Sequence, residues 1–179
     1  MRIKTTALLL SLFVPALAPA FATVLPDACG EDKVKFNVDR QKGQPAPGGP
    51  SSDKALVVFV EEIDKNAPCL GCAVTTRVGM DGAWVGANQG NSYFAVDVAP
   101  GEHHVCTDWQ SAFGALKAKI GLTAFTAEAG KTYYFKIKVT LKQLSENTSE
   151  RELELVPMTE DEGKYGTKAF PLSKPTKRT

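Results

Sequence analysis

The side chains best suited to chemistry lie in two short segments of the chain. The first is Cys69-Leu70-Gly71-Cys72, whose spacing allows both sulfur atoms to reach one metal ion or each other. A zinc site would need a second pair of ligands, and thiol exchange would need a βαβ setting with a helix N-terminus that lowers the pKa of the thiol. The sequence indicates neither, so a structural disulfide is the favoured interpretation.

The second segment contains both histidines of the chain. Glu102, His103 and His104 follow a Pro-Gly turn and precede Cys106 and Asp108. Alternate residues of a strand point to opposite faces, so adjacent histidines cannot easily hold one ion. Copper or zinc would suit such ligands, but no further histidine exists to complete a site. We therefore predict one exposed and one packed imidazole, with no metal and no cofactor.

Residues 1–22 have the pattern of a signal peptide. Arg2 and Lys4 precede an apolar run at residues 7–14, and Ala20-Phe21-Ala22 has the form of a signal-peptidase site. The pattern predicts a mature chain that begins near Thr23 and is exported to the periplasm or the medium. No later segment approaches the roughly 20 apolar residues of a membrane-spanning helix.

The cysteine count agrees with export. All four cysteines follow the leader, and an even number in an oxidising compartment predicts two disulfides. The favoured pairing joins Cys69 to Cys72 and Cys29 to Cys106. The alternative joins Cys72 to Cys106 and Cys29 to Cys69, because sequence gives no distances. A lipid anchor on Cys29 is not predicted, since Pro and Asp stand within residues 25–28, where a lipoprotein signal has aliphatic and small residues.

Composition excludes several classes of function. The chain has 179 residues, a net charge of +1 and 23% charged residues, which suits one soluble domain. A near-neutral charge gives no reason to expect a nucleic acid or an anionic membrane as partner. The sequence has no Gly-x-Ser-x-Gly elbow, P-loop or dinucleotide-binding glycine pattern. The carboxylate pairs Glu61-Glu62 and Asp161-Glu162 lie in predicted loops, where we expect solvation, so no enzyme is predicted.

Hydrophobic periodicity predicts an all-β fold. Short apolar segments separated by Gly, Pro and Asn turns are typical of an antiparallel β-sandwich, here of about seven or eight strands with one short C-terminal helix. The unbroken apolar run at residues 55–60 predicts a central strand. Residues 72–109 predict a β-meander around a tight Asp81-Gly82 turn, and residues 132–141 predict the longest strand, with one solvated face.

The sandwich is expected to span residues 53–157. An N-terminal segment and a Pro/Gly-rich linker precede it at residues 23–52. A helix with a Thr159/Glu162 capping box, limited by its glycines, and a flexible basic tail follow at residues 158–179.

Aromatic and amide side chains are the candidates for binding a partner. Aromatic faces give contact area at little entropy cost, and the loops at residues 88–92 and 110–121 are possible contact surfaces. Trp84, which follows a hairpin turn, and Tyr134, on the solvated face, are expected to be at least partly exposed, whereas most other aromatic residues are expected in the core. The candidate binding residues are Trp84, Asn88, Asn91, Tyr93, His103, His104, Trp109 and Tyr134.

Four turn and core segments carry a family resemblance. They are Asp81-Gly82, Asn91-Ser92-Tyr93-Phe94, Pro100-Gly101-Glu102-His103 and Ala129-Gly130-Lys131-Thr132-Tyr133-Tyr134. Together they resemble a family of exported bacterial proteins classed as a domain of unknown function, similar in plan to PEGA-type envelope modules. The resemblance covers residues 55–156 and implies a fold and a compartment, with no catalytic residues. Members are often lipoproteins, and this chain departs from them there.

The predicted function is binding or structural support. We expect a non-catalytic secreted or periplasmic protein whose partner is an unknown envelope component, protein or glycan. The alternative is a thiol-disulfide or metal-handling protein that uses Cys69, Cys72, His103 and His104.

Overall fold

Two β-sheets pack face to face in the computed structural model, which describes residues 26–63, 74–110, 118–145 and 148–178. The elements in chain order are β1 (Lys35–Gln41), β2 (Ala55–Ile63), β3 (Thr75–Met80), β4 (Ala83–Gln89), β5 (Ser92–Val98), β6 (Gly101–Gln110), β7 (Ala118–Lys119), β8 (Gly121–Ala127), β9 (Thr132–Ser145), β10 (Thr148–Met158), α1 (Glu160–Ala169) and β11 (Leu172–Arg178). The large sheet has the order β1-β11-β5-β2-β9-β10-β7, and the small sheet has the order β4-β3-β6-β8. None of the helical residues in these ranges forms a helix long and apolar enough to cross a membrane.

The predicted all-β sandwich is confirmed. The described residues form eleven strands, more than the seven or eight expected. The large sheet also contains parallel pairs, such as β2 with β9. Its central strand is β2, as predicted, and residues 55–60 are all buried. The Phe59 ring stacks on Phe94 and Phe135 in the core between the sheets.

The predicted meander is wrong in one respect, because its strands divide between the two sheets. β3 and β4 form the expected hairpin, with positive φ angles of 52° at Asp81 and 86° at Gly82. β5 then joins β2 in the large sheet, and β6 returns to pair with β3. The reason is that β5 is apolar on both faces: Phe94 packs in the core between the sheets, whereas Tyr93 packs in a second apolar cluster. Such a strand suits the interior of the large sheet.

The C-terminal segment differs from the predicted flexible tail. The capping box of α1 is present, with the Thr159 side chain accepting from the Glu162 amide and the Glu162 carboxylate accepting from the Thr159 amide. Gly163, expected to limit the helix, instead lets it approach the sheet, since a Cβ there would lie 2.1 Å from the Tyr134 ring. Residues 172–178 form β11, which pairs antiparallel with β1 along its whole length. Its lysines and proline concealed it, because both are depleted in strands.

Candidate functional site

The outer face of the small sheet is covered by an N-terminal arm, which we define as residues 26–34. The Cys29–Cys106 disulfide, with a Cα–Cα distance of 5.5 Å, fixes the arm to β6. This bond belongs to the favoured pairing from the sequence, and it excludes the alternative in which Cys106 bonds Cys72. Cys69 and Cys72 lie outside the described residues.

Arg77 holds the arm by a second set of contacts. Its side chain is only 1% exposed. One terminal nitrogen donates to the carbonyl oxygens of Asp32 and Val34, at 3.0 and 2.7 Å, and the other donates to the carboxylates of Asp108 and Asp32. The guanidinium carbon lies 4.2 Å from the centre of the Trp84 ring. We name this set of contacts the arginine clasp. It is a structural ion pair, because every acceptor it reaches belongs to the arm or to β6.

Sequence analysis did not identify the arginine clasp. The available signal was parity: Arg77 in β3 and Asp108 in β6 are directly paired in the sheet, so their side chains share a face. Trp84 joins them, and the prediction that it is partly exposed is wrong, since it is 3% exposed. The arm buries it, and its indole nitrogen donates to the Glu31 carbonyl at 2.8 Å.

The other aromatic candidates divide as expected between core and surface. Trp109 lies in the core between the sheets, and Tyr93 is buried with its hydroxyl 3.4 Å from the Pro45 carbonyl. Tyr134 is partly exposed, as predicted, beside α1. Neither buried ring can offer a flat face to a sugar or a peptide, so these residues do not form a binding platform.

The two histidines occupy different environments, one packed and one exposed, as predicted. His103 Nδ1 lies 2.6 Å from Asp81 Oδ2, and its Nε2 lies 2.8 Å from the Ala99 carbonyl. Burial opposes the charged form, but the Ala99 carbonyl and the Asp81 carboxylate outweigh it and raise the pKa of His103. His104 is exposed, with its Nε2 3.7 Å from Glu102. Both His103 nitrogens are engaged, and the described residues contain no group of three metal-binding side chains that could hold an ion.

Glu61 was expected in a solvated loop, and this prediction is wrong. It lies in β2, is buried, and faces the core between the sheets opposite Ser92. Its Oε1 accepts from Thr76 at 3.3 Å, and its Oε2 has no hydrogen-bond partner in the structure. Burial raises the pKa of Glu61 well above its usual range, and the Thr76 hydrogen bond and the positive charge of Arg40 offset this only in part.

Polar side chains beside Glu61 make one end of the core polar. The Asn88 amide nitrogen donates to the Phe59 carbonyl at 3.2 Å, and Ser92 donates to the Asn88 amide oxygen at 3.3 Å. Asn88 and Ser92 are both buried. Most of the loop at residues 88–92, which was predicted as a contact surface, is therefore not accessible to a partner. Asn91 is exposed, and its side chain accepts from the Ile63 amide at 2.8 Å. Residues 111–117 of the second predicted contact loop lie outside the described residues.

A groove of about 650 Å³ separates the arm from β8, and we name it the arm groove. Its lining is mainly apolar, and its polar residues are Asp27, Asp81, His104 and Thr123. Leu122, in β8, is 55% exposed. The lining residues are Pro26, Asp27, Ala28, Asp81, His104, Val105, Leu122, Thr123 and Ala124. Such a groove can receive an apolar side chain from a partner, with a polar contact at its rim.

Comparison with known proteins adds a family. The model of a family described as a protein of unknown function matches residues 51–149, which is more than half of the chain. The searches of curated proteins and of solved structures found no match.

Proposed function

Because the chain belongs to the DUF2846 family of proteins of unknown function, we propose that it is an exported, non-catalytic protein that binds a component of the cell envelope through the arm groove. The observation that carries the proposal is the Cys29–Cys106 disulfide, which joins residues 77 positions apart. Disulfides of this kind form and persist in oxidising compartments outside the cytoplasm. The signal-peptide pattern and the likeness to PEGA-type envelope modules support the same compartment.

Binding is favoured over catalysis by the state of the reactive side chains. Arg77 is committed to the arm, His103 to Asp81 and Ala99, and Glu61 is enclosed between the sheets. The hydroxyl that adjoins Glu61 is that of Thr76, which is itself buried and so is closed to a substrate. The arm groove, in contrast, exposes apolar surface in the form of Leu122. Exposed apolar surface rimmed by polar groups is a feature of interaction sites.

The first experiment locates the protein and its disulfides. The protein is produced with its own leader, the cells are fractionated, and free thiols are alkylated before peptide mass analysis. We expect a periplasmic or secreted protein with Cys29 bonded to Cys106. A cytoplasmic protein with both thiols alkylated would contradict the proposed compartment.

The second experiment tests the arm groove. A photocrosslinking amino acid is placed at Leu122, with Val156 in β10, an exposed apolar residue that does not line the groove, as the matched control. We expect adducts of defined mass from position 122 and none from position 156 in intact cells. Equal labelling from both positions, or none from either, would refute the groove as the binding site.

The alternative thiol or metal function makes a different prediction. It requires a readily reduced Cys69–Cys72 pair or a bound metal ion in the purified protein. The geometry of His103 weighs against it, because a metal would have to displace Asp81 or Ala99 from the imidazole. Elemental analysis and a thiol count in mild reductant test this alternative, and a stoichiometric metal would establish it over the binding proposal.

A further inference from the structure

Positive charge is concentrated at one edge of the large sheet. We define the basic ribbon as residues 35–42 and 172–178, which are β1 with the lysine that follows it, and β11. The charged residues of the basic ribbon are six cations and one carboxylate: Lys35, Asp39, Arg40, Lys42, Lys174, Lys177 and Arg178. The whole chain has 21 lysines and arginines and 20 carboxylates, so the rest of the chain has an excess of carboxylates. The near-neutral charge, which gives no reason to expect an anionic partner, is thus an average over unequal parts.

Tertiary pairing creates the basic ribbon, because its two segments lie far apart in the sequence. β1 pairs antiparallel with β11 from Lys35 opposite Arg178 to Gln41 opposite Leu172. The paired strands extend over about 20 Å, and each segment contributes three cations. β1 is at the end of the strand order of the large sheet, so the basic ribbon forms a margin of that sheet.

Most cations of the basic ribbon are exposed and are not neutralised by a neighbouring carboxylate. Lys35 pairs with Asp32 at 3.8 Å, and among the described residues it is the one cation of the ribbon that takes part in an ion pair. Glu31, which also precedes β1, is taken up by Lys33 at 2.7 Å. The exposed cations outside these pairs are Arg40, Lys42, Lys174, Lys177 and Arg178. Asp39 is the one carboxylate of the ribbon set against these five.

We propose that the basic ribbon docks on an anionic lipid surface. The ribbon offers charge without an exposed ring, because its one aromatic residue, Phe36, is only 4% exposed. Binding of sugars and of single-stranded nucleic acid draws on exposed aromatic faces. A lipid surface with acidic headgroups attracts clustered lysines and arginines by charge alone. The chemistry of the basic ribbon therefore fits the lipid surface best.

This inference goes beyond the proposed function and does not depend on it. The basic ribbon shares no residue with the lining of the arm groove. Binding to a lipid surface can be measured with the purified protein, whatever its compartment. Failure of lipid binding would therefore leave the crosslinking result at Leu122 untouched, and the reverse also holds.

The experiment measures flotation of the protein with lipid vesicles, with its Cys29–Cys106 bond intact. The probes are vesicles of equimolar phosphatidylcholine and phosphatidylglycerol, and vesicles of phosphatidylcholine alone serve as the neutral surface. The ribbon variant is Lys42→Gln/Lys174→Gln/Lys177→Gln, which removes three exposed cations. Circular dichroism establishes that each variant is folded.

The matched control removes the same charge elsewhere. It is Lys131→Gln/Lys138→Gln/Lys164→Gln, in which each lysine is more than half exposed and lies outside the basic ribbon. The two variants have the same net charge, so a difference between them reports the position of the charge.

We expect the wild type and the control to bind the anionic vesicles at low salt and to ignore the neutral ones. Each lysine or arginine near an anionic surface strengthens binding about fivefold, so the ribbon variant should bind about 100-fold more weakly. Binding of the wild type should disappear in about 1 M salt, where the Debye length is about 3 Å. If the ribbon variant does not fold, Lys42→Gln/Arg178→Gln replaces it, at the turn after β1 and the last residue of β11, with an expected loss of about 25-fold.

Five results would overturn the proposal. They are a wild type that does not bind the anionic vesicles at low salt, equal binding to the neutral vesicles, a ribbon variant that binds like the wild type, and a control that loses as much as the ribbon variant. The fifth is binding to a soluble polyanion such as dextran sulfate without binding to vesicles, which would exclude lipid as the partner.

Discussion

Removing the Arg77 side chain should loosen the N-terminal arm and destabilise the whole sandwich. The substitution Arg77→Ala leaves the Asp108 carboxylate without the guanidinium that now contacts it, in a position where the Asp108 side chain is largely buried. It also removes the hydrogen bonds to the Asp32 and Val34 carbonyls and the contact with the Trp84 ring. An unpaired buried charge is the largest of these losses.

The size of the effect can be worked out from these contacts. Breaking a buried ion pair by removing one partner costs about 3–5 kcal/mol, and we expect the lower end because Asp32 is well exposed and its carbonyl can be hydrated. The lost contact with Trp84 is worth about 1 kcal/mol of that total. A free energy of unfolding reduced by about 3 kcal/mol corresponds to a melting temperature lower by about 6–12 °C in a protein of this size.

Urea unfolding followed by tryptophan fluorescence measures the loss, and hydrogen exchange of the arm amides reports whether the arm opens first. Lys138→Ala is the matched control, because Lys138 makes an exposed ion pair with Glu154 at 3.2 Å, and such pairs contribute less than about 1 kcal/mol. A cycle of Arg77→Met, Asp108→Asn and the double variant should give a coupling energy above about 1 kcal/mol.

Two results would refute this reasoning. If Arg77→Ala costs no more than the Lys138→Ala control, the arginine clasp does not stabilise the fold. If the Arg77 and Asp108 substitutions are additive, the two side chains do not act as a pair, and the loss comes from the contacts of Arg77 with the arm and with Trp84.

Three further predictions concern the disulfide and the two titrating side chains. The double variant Cys29→Ala/Cys106→Ala should lower the free energy of unfolding, measured in urea, by about 4.5 kcal/mol, according to the loop-entropy relation for cysteines 77 residues apart. A loss below that of Lys138→Ala would contradict this. Glu61 has a raised pKa, so the stabilisation of its protonated form is present below pH 4.5 and is lost as the pH rises. The free energy of unfolding of Glu61→Gln, measured in urea, should therefore rise relative to that of the wild type as the pH is raised. If the two proteins lose or gain stability in parallel with pH, this reasoning is excluded. His103 also has a raised pKa, so its stabilisation is present below pH 6.5 and fades as the pH rises through the folded-state value. The NMR titration of His103 should have its midpoint above pH 6.5, and this midpoint should fall in the variant Asp81→Asn. An unchanged midpoint would count against the interaction between His103 and Asp81.

The elements that sequence reasoning located have local causes. The Asp81-Gly82 turn needs positive φ angles that these residues tolerate, and the Thr159/Glu162 capping box needs groups only three residues apart. The apolar alternation of β9 predicts its buried face, where Phe135 and Ile137 lie. The opposed environments of His103 and His104 follow from strand parity in the same way.

The errors have a common physical origin in contacts between distant segments. Trp84 and Glu61 resemble exposed residues because their neighbours in sequence are polar or lie in turns, but the arm covers one and the opposite sheet covers the other. β11 is basic and contains Pro175, yet it pairs with β1, where Asp39 lies opposite Lys174. Strand propensity describes a half-buried surface, and only the partner strand supplies that surface.

The sequence by itself determined the apolar alternation of the strands, the tight turns and the N-terminal cap of the helix, because those signals depend on residues a few positions apart. It also favoured the pairing that contains Cys29–Cys106, but left an alternative open because sequence gives no distances. Only the tertiary structure shows that β5 crosses to the large sheet, that Arg77 contacts Asp108, and that Cys29 bonds Cys106. Arg77 and Asp108 are 31 residues apart in the sequence, and the two cysteines are 77 residues apart. The candidate site is built from such pairs: the arm groove exists only where the arm, the Asp81 hairpin and β8 converge in space.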